Sequence, residues 1–377
     1  MEDKCNNPMR VLHITEMLSA AGIESFIMNM YRRIDKSCVQ FDFLVLRDEH
    51  EFYDDEIKEL GGIKYWVHSN ISNTLFRILD ETQQIEQFLK EHRYDVVHIH
   101  YTTPLRAPYL KACLKANVKK RIYHSHSAYV SGKNFIKHAV YGYMKKQISK
   151  YATDYFACSM AAAEWIFEKK LIDDGTVKII YNGIDTKKFA YSVSDRKAVR
   201  KELDINDEFV LVHTGRFMSQ KNHRFVVDVF YELKKICTDS KLLLLGTGEL
   251  FEEVKHQVNE LGLADDVIFA GVRSDVNRFL SAADCYIMPS LYEGLPVSAI
   301  EAECAGLPCI FSENITREVS LIEGIEFLSL DETVHEWVKQ ILKFKDVERY
   351  DKSEIVKNSG YDIQAVAKKM QQLYMES

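Results

Sequence analysis

The sequence predicts an α/β protein built from two doubly wound parallel-sheet domains facing across a cleft. Three observations carry this expectation. At 377 residues the chain exceeds what a single hydrophobic core usually serves. Short apolar runs alternate with amphipathic helical stretches, the interval that right-handed strand, helix, strand crossovers require. The series also restarts halfway along the chain.

In the first series RVLHIT, FDFLVL, DVVHIH, KRIYHSH and DYFACS read as strands, with helical patterns such as 85–92 between them. The stretch KIIYNGIDTKKF marks the join, near Asn182 to Phe189. FVLVHTGR, KLLLLGTG, DVIFAG, DCYIMP and PCIFS then form the second series. The expected division is residues 1–185, residues 186–360 and a tail, 361–377. The tail segment YDIQAVAKKMQQLY has helical spacing and is expected to pack back toward the first domain. In such sheets ligands bind at the carboxyl ends of the strands, where strand order reverses. The candidate residues below fall at strand ends or on the loops that follow them.

In PSLYEGLPVSAIEAECAGLPCI, Glu293 and Glu301 stand eight positions apart. Gly294 and Pro296 keep them off one helix, because proline is tolerated only in a first turn. The helix is expected to begin near Pro296, run through Cys304 and end at Gly306. Spacing alone fits a buried turn with a solvated helix face as well as it fits a pair of working carboxylates.

GRFMSQKN places Arg216 and Lys221 at a strand end and the next helix start. Two cations with helix amides make a diphosphate cradle that needs no metal, and the bland alternative is an exposed strand-end pair. LLLLGTGEL supplies Gly246 and Gly248 for close backbone approach, without the third glycine of a nicotinamide dinucleotide fingerprint. In the first domain Gly22 opens an amphipathic helix whose amides can face a phosphate, with Glu24 in its first turn. His98 with His100, and His124 with His126, alternate along successive strands, so each pair shares one sheet face. Four imidazoles could meet at a metal, or lie as satisfied core or cleft residues. No carboxylate or cysteine with ligand spacing accompanies them.

Apolar content of 46% and charged content of 28% are those of a soluble globular chain. Eight cysteines without a C-x-x-C pair argue against a disulfide framework and for a reducing compartment. The polar, acidic N-terminus and the lack of a long apolar run predict a cytoplasmic protein without a spanning helix. Net charge is −7, yet no acid stands between Asp95 and Asp154, where Arg106, Lys111, Lys133, Lys137, Lys145, Lys146 and other cations cluster. With Tyr129, Phe135, Tyr141 and Tyr143 interleaved, this segment fits an anionic membrane surface, a solvated face or a nucleic acid.

Taken together, GRFMSQKN, GTGE, FAGVRSDV, PSLYEGLPVSAIEAECAGLPCI and YNGID resemble the second domain of retaining glycosyltransferases of family 4. HITEMLSAAGIE, DVVHIHYTTP and RIYHSHS resemble the first domain, in the branch that builds bacterial capsule and exopolysaccharide. The likeness implies the GT-B fold of two Rossmann-like domains, a nucleotide-sugar donor expected to be a UDP-sugar, no cofactor and no divalent metal. It implies that Glu293 meets the donor sugar, Glu301 the ribose, and Arg216 and Lys221 the diphosphate. The turn around Gly271, Val272 and Arg273 would hold the base. Gly22, Gly248, Ser290, Gly294, Leu295 and Pro296 would line the donor site. His126, with His124 as the fallback, would be the first domain's cleft histidine; His100, His124 and His126 would bind the acceptor, and His126 would be a catalytic group with Glu293, Arg216 and Lys221. Ala21 stands where the family often has a second glycine before Gly22.

The implied reaction extends a lipid-linked glycan at the inner face of the cell membrane, reached through the basic segment, with no nucleic-acid partner. A UDP-sugar 2-epimerase of similar fold and a nonenzymatic nucleotide-sugar-binding protein are the alternatives.

Overall fold

The computed structural model describes residues 8–19, 22–47, 49–127 and 135–376. The chain divides into two units. One runs up to Gly183 and resumes at Ile363, and the other is Ile184–Asp362. The expected boundaries stood after residues 185 and 360. The division is set where two segments run side by side: Ile184 bridges to Asp362, and the Ile184 amide donates to the Tyr361 carbonyl at 2.7 Å. Gly183 must be glycine there, because a Cβ would lie 2.9 Å from the Ile363 Cα.

Among the described residues the first unit holds seven parallel strands: β1 Met9–Ile14, β2 Val39–Val45, β3 Lys64–Trp66, β4 Val96–Tyr101, β5 Lys120–Ser125, β6 Asp154–Ala157 and β7 Val177–Ile179. Their order is β3-β2-β1-β4-β5-β6-β7, so the direction of winding reverses between β1 and β4. The second unit holds β8 Phe209–Thr214, β9 Ser240–Leu245, β10 Val267–Gly271, β11 Cys285–Met288, β12 Cys309–Ser312 and β13 Ile325–Leu328. Its order, β10-β9-β8-β11-β12-β13, reverses between β8 and β11. Central strands such as Phe209–Thr214 are buried on both faces, which is why they read as continuous apolar runs.

Three strands escape the sequence reading: β3, β7 and β13. All are edge strands of three or four residues with partial exposure, too short and too mixed to print an apolar run. The helix Val297–Cys304 follows Pro296, and Gly306 lies just beyond it at φ +67°, the left-handed conformation that closes a helix.

The C-terminal helix Ile363–Met375 belongs to the first unit. Its buried face, Ile363, Val366, Met370, Leu373 and Tyr374, joins the core beneath β1, β2 and β4. Lys120 donates to the Leu373 carbonyl and, at 2.7 Å, to that of Glu376.

Candidate active site

The two strands flanking the reversal in the second unit deliver its candidate residues. After β8, Gly215 to Asn222 forms a loop whose last residue is left-handed at φ +56°, turning the chain into the helix His223–Ile236. After β11, Pro289 to Pro296 forms a second loop before the Glu301 helix. The loops meet through Lys221, whose Nζ lies 2.7 Å from Glu293 Oε1, both side chains largely buried. Gln220 holds the same loop: its Nε2 donates to the Tyr292 carbonyl at 2.9 Å and to Glu293 Oε2 at 3.3 Å. Asn222 Nδ2 donates to the Pro289 carbonyl at 3.2 Å. Removing one partner of a largely buried ion pair costs on the order of 3 kcal/mol, so Lys221 and Glu293 hold each other in place.

Beside them, Gly215, Gly246, Gly271, Val272, Arg273 and Glu301 line a cavity of about 250 Å³ at the strand carboxyl ends. Desolvation pushes the Glu301 carboxyl up to about 7, against the attraction of Lys188. The Arg273 guanidinium is committed to Asp275 at 2.8 Å and to the Phe279 ring at 4.5 Å, so the turn offers a ligand its backbone and the exposed Val272.

Arg216 stands differently from Lys221. Its side chain is 70% exposed, with Glu249 at 3.9 Å as a loose partner. Ser290 is buried and its Oγ has no hydrogen-bond partner among the described residues, a condition that costs about 1–3 kcal/mol and that a ligand oxygen would relieve. Gly294 is half-buried, and Leu295 and Pro296 are buried, leading into the helix. Gly248 has a packing reason to be glycine: a Cβ would collide with the Phe217 carbonyl.

At the first unit's strand ends, Gly22 opens the helix Gly22–Tyr31 and is exposed, with open space where a Cβ would stand. Ala21 lies outside the described residues. Glu24 in the first turn is buried beside Thr15, whose Oγ1 donates to it at 3.4 Å, and desolvation raises its carboxyl to about 7.

The histidines do meet, and a fifth joins them. Parallel register sets His13 of β1 beside His98 of β4, and His100 beside His124 of β5. The side-chain bonds run diagonally. His13 Nδ1 lies 2.9 Å from His100 Nε2, and His100 Nδ1 lies 2.9 Å from His126 Nε2. In a second line Tyr374 Oη lies 2.7 Å from His98 Nδ1, and His98 Nε2 lies 3.1 Å from His124 Nδ1. His13, His98, His100 and His124 are fully buried, and His126 is half-buried against Phe26. Desolvation lowers all five; His13 and His126 fall to about 3, and neighbouring imidazoles add to the effect at the other three. They are therefore neutral rings at ordinary pH.

His13–His98–His100 and His100–His124–His126 have ring nitrogens close enough for a metal. Within these sets His13 Nδ1 lies 2.9 Å from His100 Nε2 and His100 Nδ1 lies 2.9 Å from His126 Nε2, so a cation would compete with hydrogen bonds between the rings. His13 was missed in the sequence, although it sits inside RVLHIT as a histidine in a buried strand.

The basic segment is much less free than its composition implies. Arg106 pairs with Glu81, Lys115 with Glu86 at 2.8 Å and Lys119 with Asp95 at 3.1 Å. Arg121 donates to the Val118 and Tyr151 carbonyls, and Lys145 to the Glu164 carbonyl at 2.9 Å. Lys111 and Lys146 have no acceptor among the described residues, and Tyr143 and Leu114 are exposed on the same two helices, Ala107–Lys115 and Phe135–Tyr151. Tyr129 and Lys133 lie outside the described residues, as does the side chain of Phe135. No described helix is long and apolar enough to cross a membrane.

Comparison with known proteins gives the family. Residues 195–363 match the family described as glycosyl transferases group 1, and residues 20–188 match glycosyltransferase family 4. The chain is 33% identical over 367 residues to EpsF of Bacillus subtilis (strain 168), a protein with a glycosyltransferase assignment, covering 94% of this chain and 93% of that one. It is 24% identical over 329 residues to the Escherichia coli UDP-Gal:α-D-GlcNAc-diphosphoundecaprenol α-1,3-galactosyltransferase, covering 85% and 83%. In fold it resembles HepE of Anabaena, solved in complex with UDP, with a TM-score of 0.75 and 18% identity over 98% of this chain and 100% of that one. With two parallel-sheet domains of the GT-B type and matches to both halves of the family, the chain belongs to the family 4, group 1 glycosyltransferases.

Proposed function

We propose that this glycosyltransferase moves a sugar from a UDP-sugar to a lipid-linked glycan in polysaccharide biosynthesis, with retention of anomeric configuration and without a divalent metal. The observation that carries the reading is the Lys221–Glu293 pair, which joins the loops after β8 and β11 beside the cavity lined by Glu301. The lipid-linked acceptor and the uridine base are favoured by the Escherichia coli relative, named for both, and by HepE, solved with UDP.

Cleaving the bond between sugar and diphosphate develops negative charge on the leaving phosphate and positive charge on the sugar. Arg216, exposed and loosely partnered, and Lys221 receive the first. Lys221 is neutralised by Glu293 before the donor arrives, so its ammonium is positioned without presenting a full uncompensated charge. Glu293 lies beside the sugar and Glu301 accepts from the ribose hydroxyls. His126 meets a substrate hydroxyl as a neutral group, and the departing phosphate takes the acceptor's proton on the same face. The enzyme works at the inner face of the membrane, held there by free cations such as Lys111 and Lys146 with Tyr143 and Leu114 beside them.

A screen of nucleotide sugars against undecaprenyl-linked acceptors, read by mass, tests this. Free UDP with a new glycoside is expected. An isomerised sugar nucleotide would establish an epimerase, and unchanged donor with measurable binding would establish a binding protein.

A further inference from the structure

We propose that His13, acting through His100, fixes the tautomer of His126 so that its Nδ1 faces the substrate as a bare hydrogen-bond acceptor. This rests on the reading of His126 as the group that meets a substrate hydroxyl.

A neutral imidazole has one N–H and one lone pair. His100 spends both nitrogens on neighbours, Nε2 on His13 and Nδ1 on His126, each at 2.9 Å. Its donor and acceptor must therefore point opposite ways along the line, and the three rings share one polarity. Among the described residues the open atoms of the line are its two ends, His13 Nε2 and His126 Nδ1, both buried and without a partner there. Whichever of them carries a proton, the other does not.

Three rings in line decide the direction together. The His13 end is closed off among Phe41 and Phe43, with centroids 4.1 and 5.7 Å away. A neutral histidine side chain intrinsically favours the Nε2–H tautomer, and in a line of one polarity the preferences of the three rings add. His13 therefore carries its proton on Nε2 and accepts at Nδ1 from His100 Nε2–H, while His100 accepts at Nδ1 from His126 Nε2–H. His126 is left with an unprotonated Nδ1 at the end of β5, suited to a hydroxyl that donates. The second line, Tyr374 to His98 to His124, obeys the same rule of a single polarity, with Tyr374 Oη 2.7 Å from His98 Nδ1 and His98 Nε2 3.1 Å from His124 Nδ1. In the first line all three rings are then protonated on Nε2. His13 and His100 are positioning residues in this scheme, and neither touches substrate.

Protein labelled with ¹⁵N-histidine provides the test. In the wild type, His13, His100 and His126 are expected as Nε2–H tautomers, with nitrogen–nitrogen couplings across the two hydrogen bonds of the line. His13→Leu removes the terminal acceptor and is expected to shift His126 toward Nδ1–H and to lower kcat/KM for transfer roughly tenfold, the value of one hydrogen bond. UDP affinity is expected to stay unchanged. His13→Gln, whose amide oxygen can accept from His100, is expected to restore both tautomer and rate. A His126 found as Nδ1–H in the wild type, missing couplings, or a His126 tautomer indifferent to His13→Leu would overturn the inference. Full transfer activity in His126→Ala, together with a His126 tautomer that does respond to His13→Leu in the otherwise wild-type protein, would instead remove the active-site role of His126 and leave the line standing.

Discussion

The carboxyl ends of the two sheets share one architecture and carry opposite chemistry. In the second unit, β8 and β11 end in paired charge: Lys221 with Glu293, an exposed Arg216, and Glu301 lining a cavity. In the first unit, β1, β4 and β5 carry five neutral imidazoles bonded to one another and to Tyr374. Charge suits a diphosphate whose negative charge grows as its bond to sugar breaks. Neutral donors and acceptors suit sugar hydroxyls, which carry no charge to match. A doubly wound sheet fixes where a site forms, and the residues at the strand ends fix what it holds.

The largest break in this contrast is expected from the cations. Arg216→Ala or Lys221→Ala is expected to slow transfer by roughly 10²- to 10³-fold, with chelators having little effect. Complete loss on chelation and recovery with manganese would move the leaving-group charge onto a metal. Next comes Glu293→Gln, expected to cut turnover roughly tenfold with a smaller change in UDP affinity passed on through Lys221, because the carboxylate is read as acting at the sugar. A matching loss of UDP affinity would assign Glu293 to the nucleotide instead.

The membrane face should respond in lipid binding and not in the chemistry. Replacing Lys111 and Lys146 by glutamate is expected to weaken binding to phosphatidylglycerol vesicles by at least roughly thirtyfold, at about 1 kcal/mol per cation, with activity on a soluble acceptor retained. Vesicle binding indifferent to both changes would leave these lysines as a solvated face. Lys145 is unsuitable for this test, since it is half-buried, donates to Glu164 and sits over Trp165.

The smallest effect concerns a carboxyl outside either site. Glu303 is buried and accepts from the Leu321 and Ile322 amides at 2.9 and 3.2 Å, yet desolvation raises it to about 8. A carboxyl raised in the folded state contributes stability that is complete below its unfolded value and is lost as pH rises through about 8. Glu303→Gln keeps an acceptor oxygen without the ionisation. It is expected to raise Tm by a few degrees at pH 9 and to leave it nearly unchanged at pH 5. Equal shifts at both pH values would mean that ionisation of Glu303 does not govern the loss.

Much of this was legible in the sequence, and the reasons are local. Pro296 and Gly306 bracket the Glu301 helix, the first because its ring bars a helical turn from continuing back through it and the second because it takes a left-handed φ of +67°. Central strands announced themselves by double-sided burial, whereas β3, β7 and β13 at the edges did not. What stayed hidden depends on register and on partners distant along the chain. Nothing in RVLHIT tells that His13 lies beside His98, or that Tyr374 returns to bond with it. The Lys221–Glu293 pair joins residues 72 positions apart, and Lys120 is occupied by carbonyls of the C-terminal helix more than 250 positions away. Composition shows a basic segment, and only the fold shows which of its cations are already engaged.

The contrast between charged and neutral strand ends is tested most directly by titrating UDP calorimetrically into chelator-treated wild type, Glu301→Ala and His126→Ala. Binding without metal is expected in the wild type, roughly 10- to 100-fold weaker binding in Glu301→Ala from loss of a charged hydrogen-bond partner, and unchanged binding in His126→Ala. Equal weakening in the two variants, or binding that appears only when a divalent cation is restored, would contradict the division of labour between the two sheets.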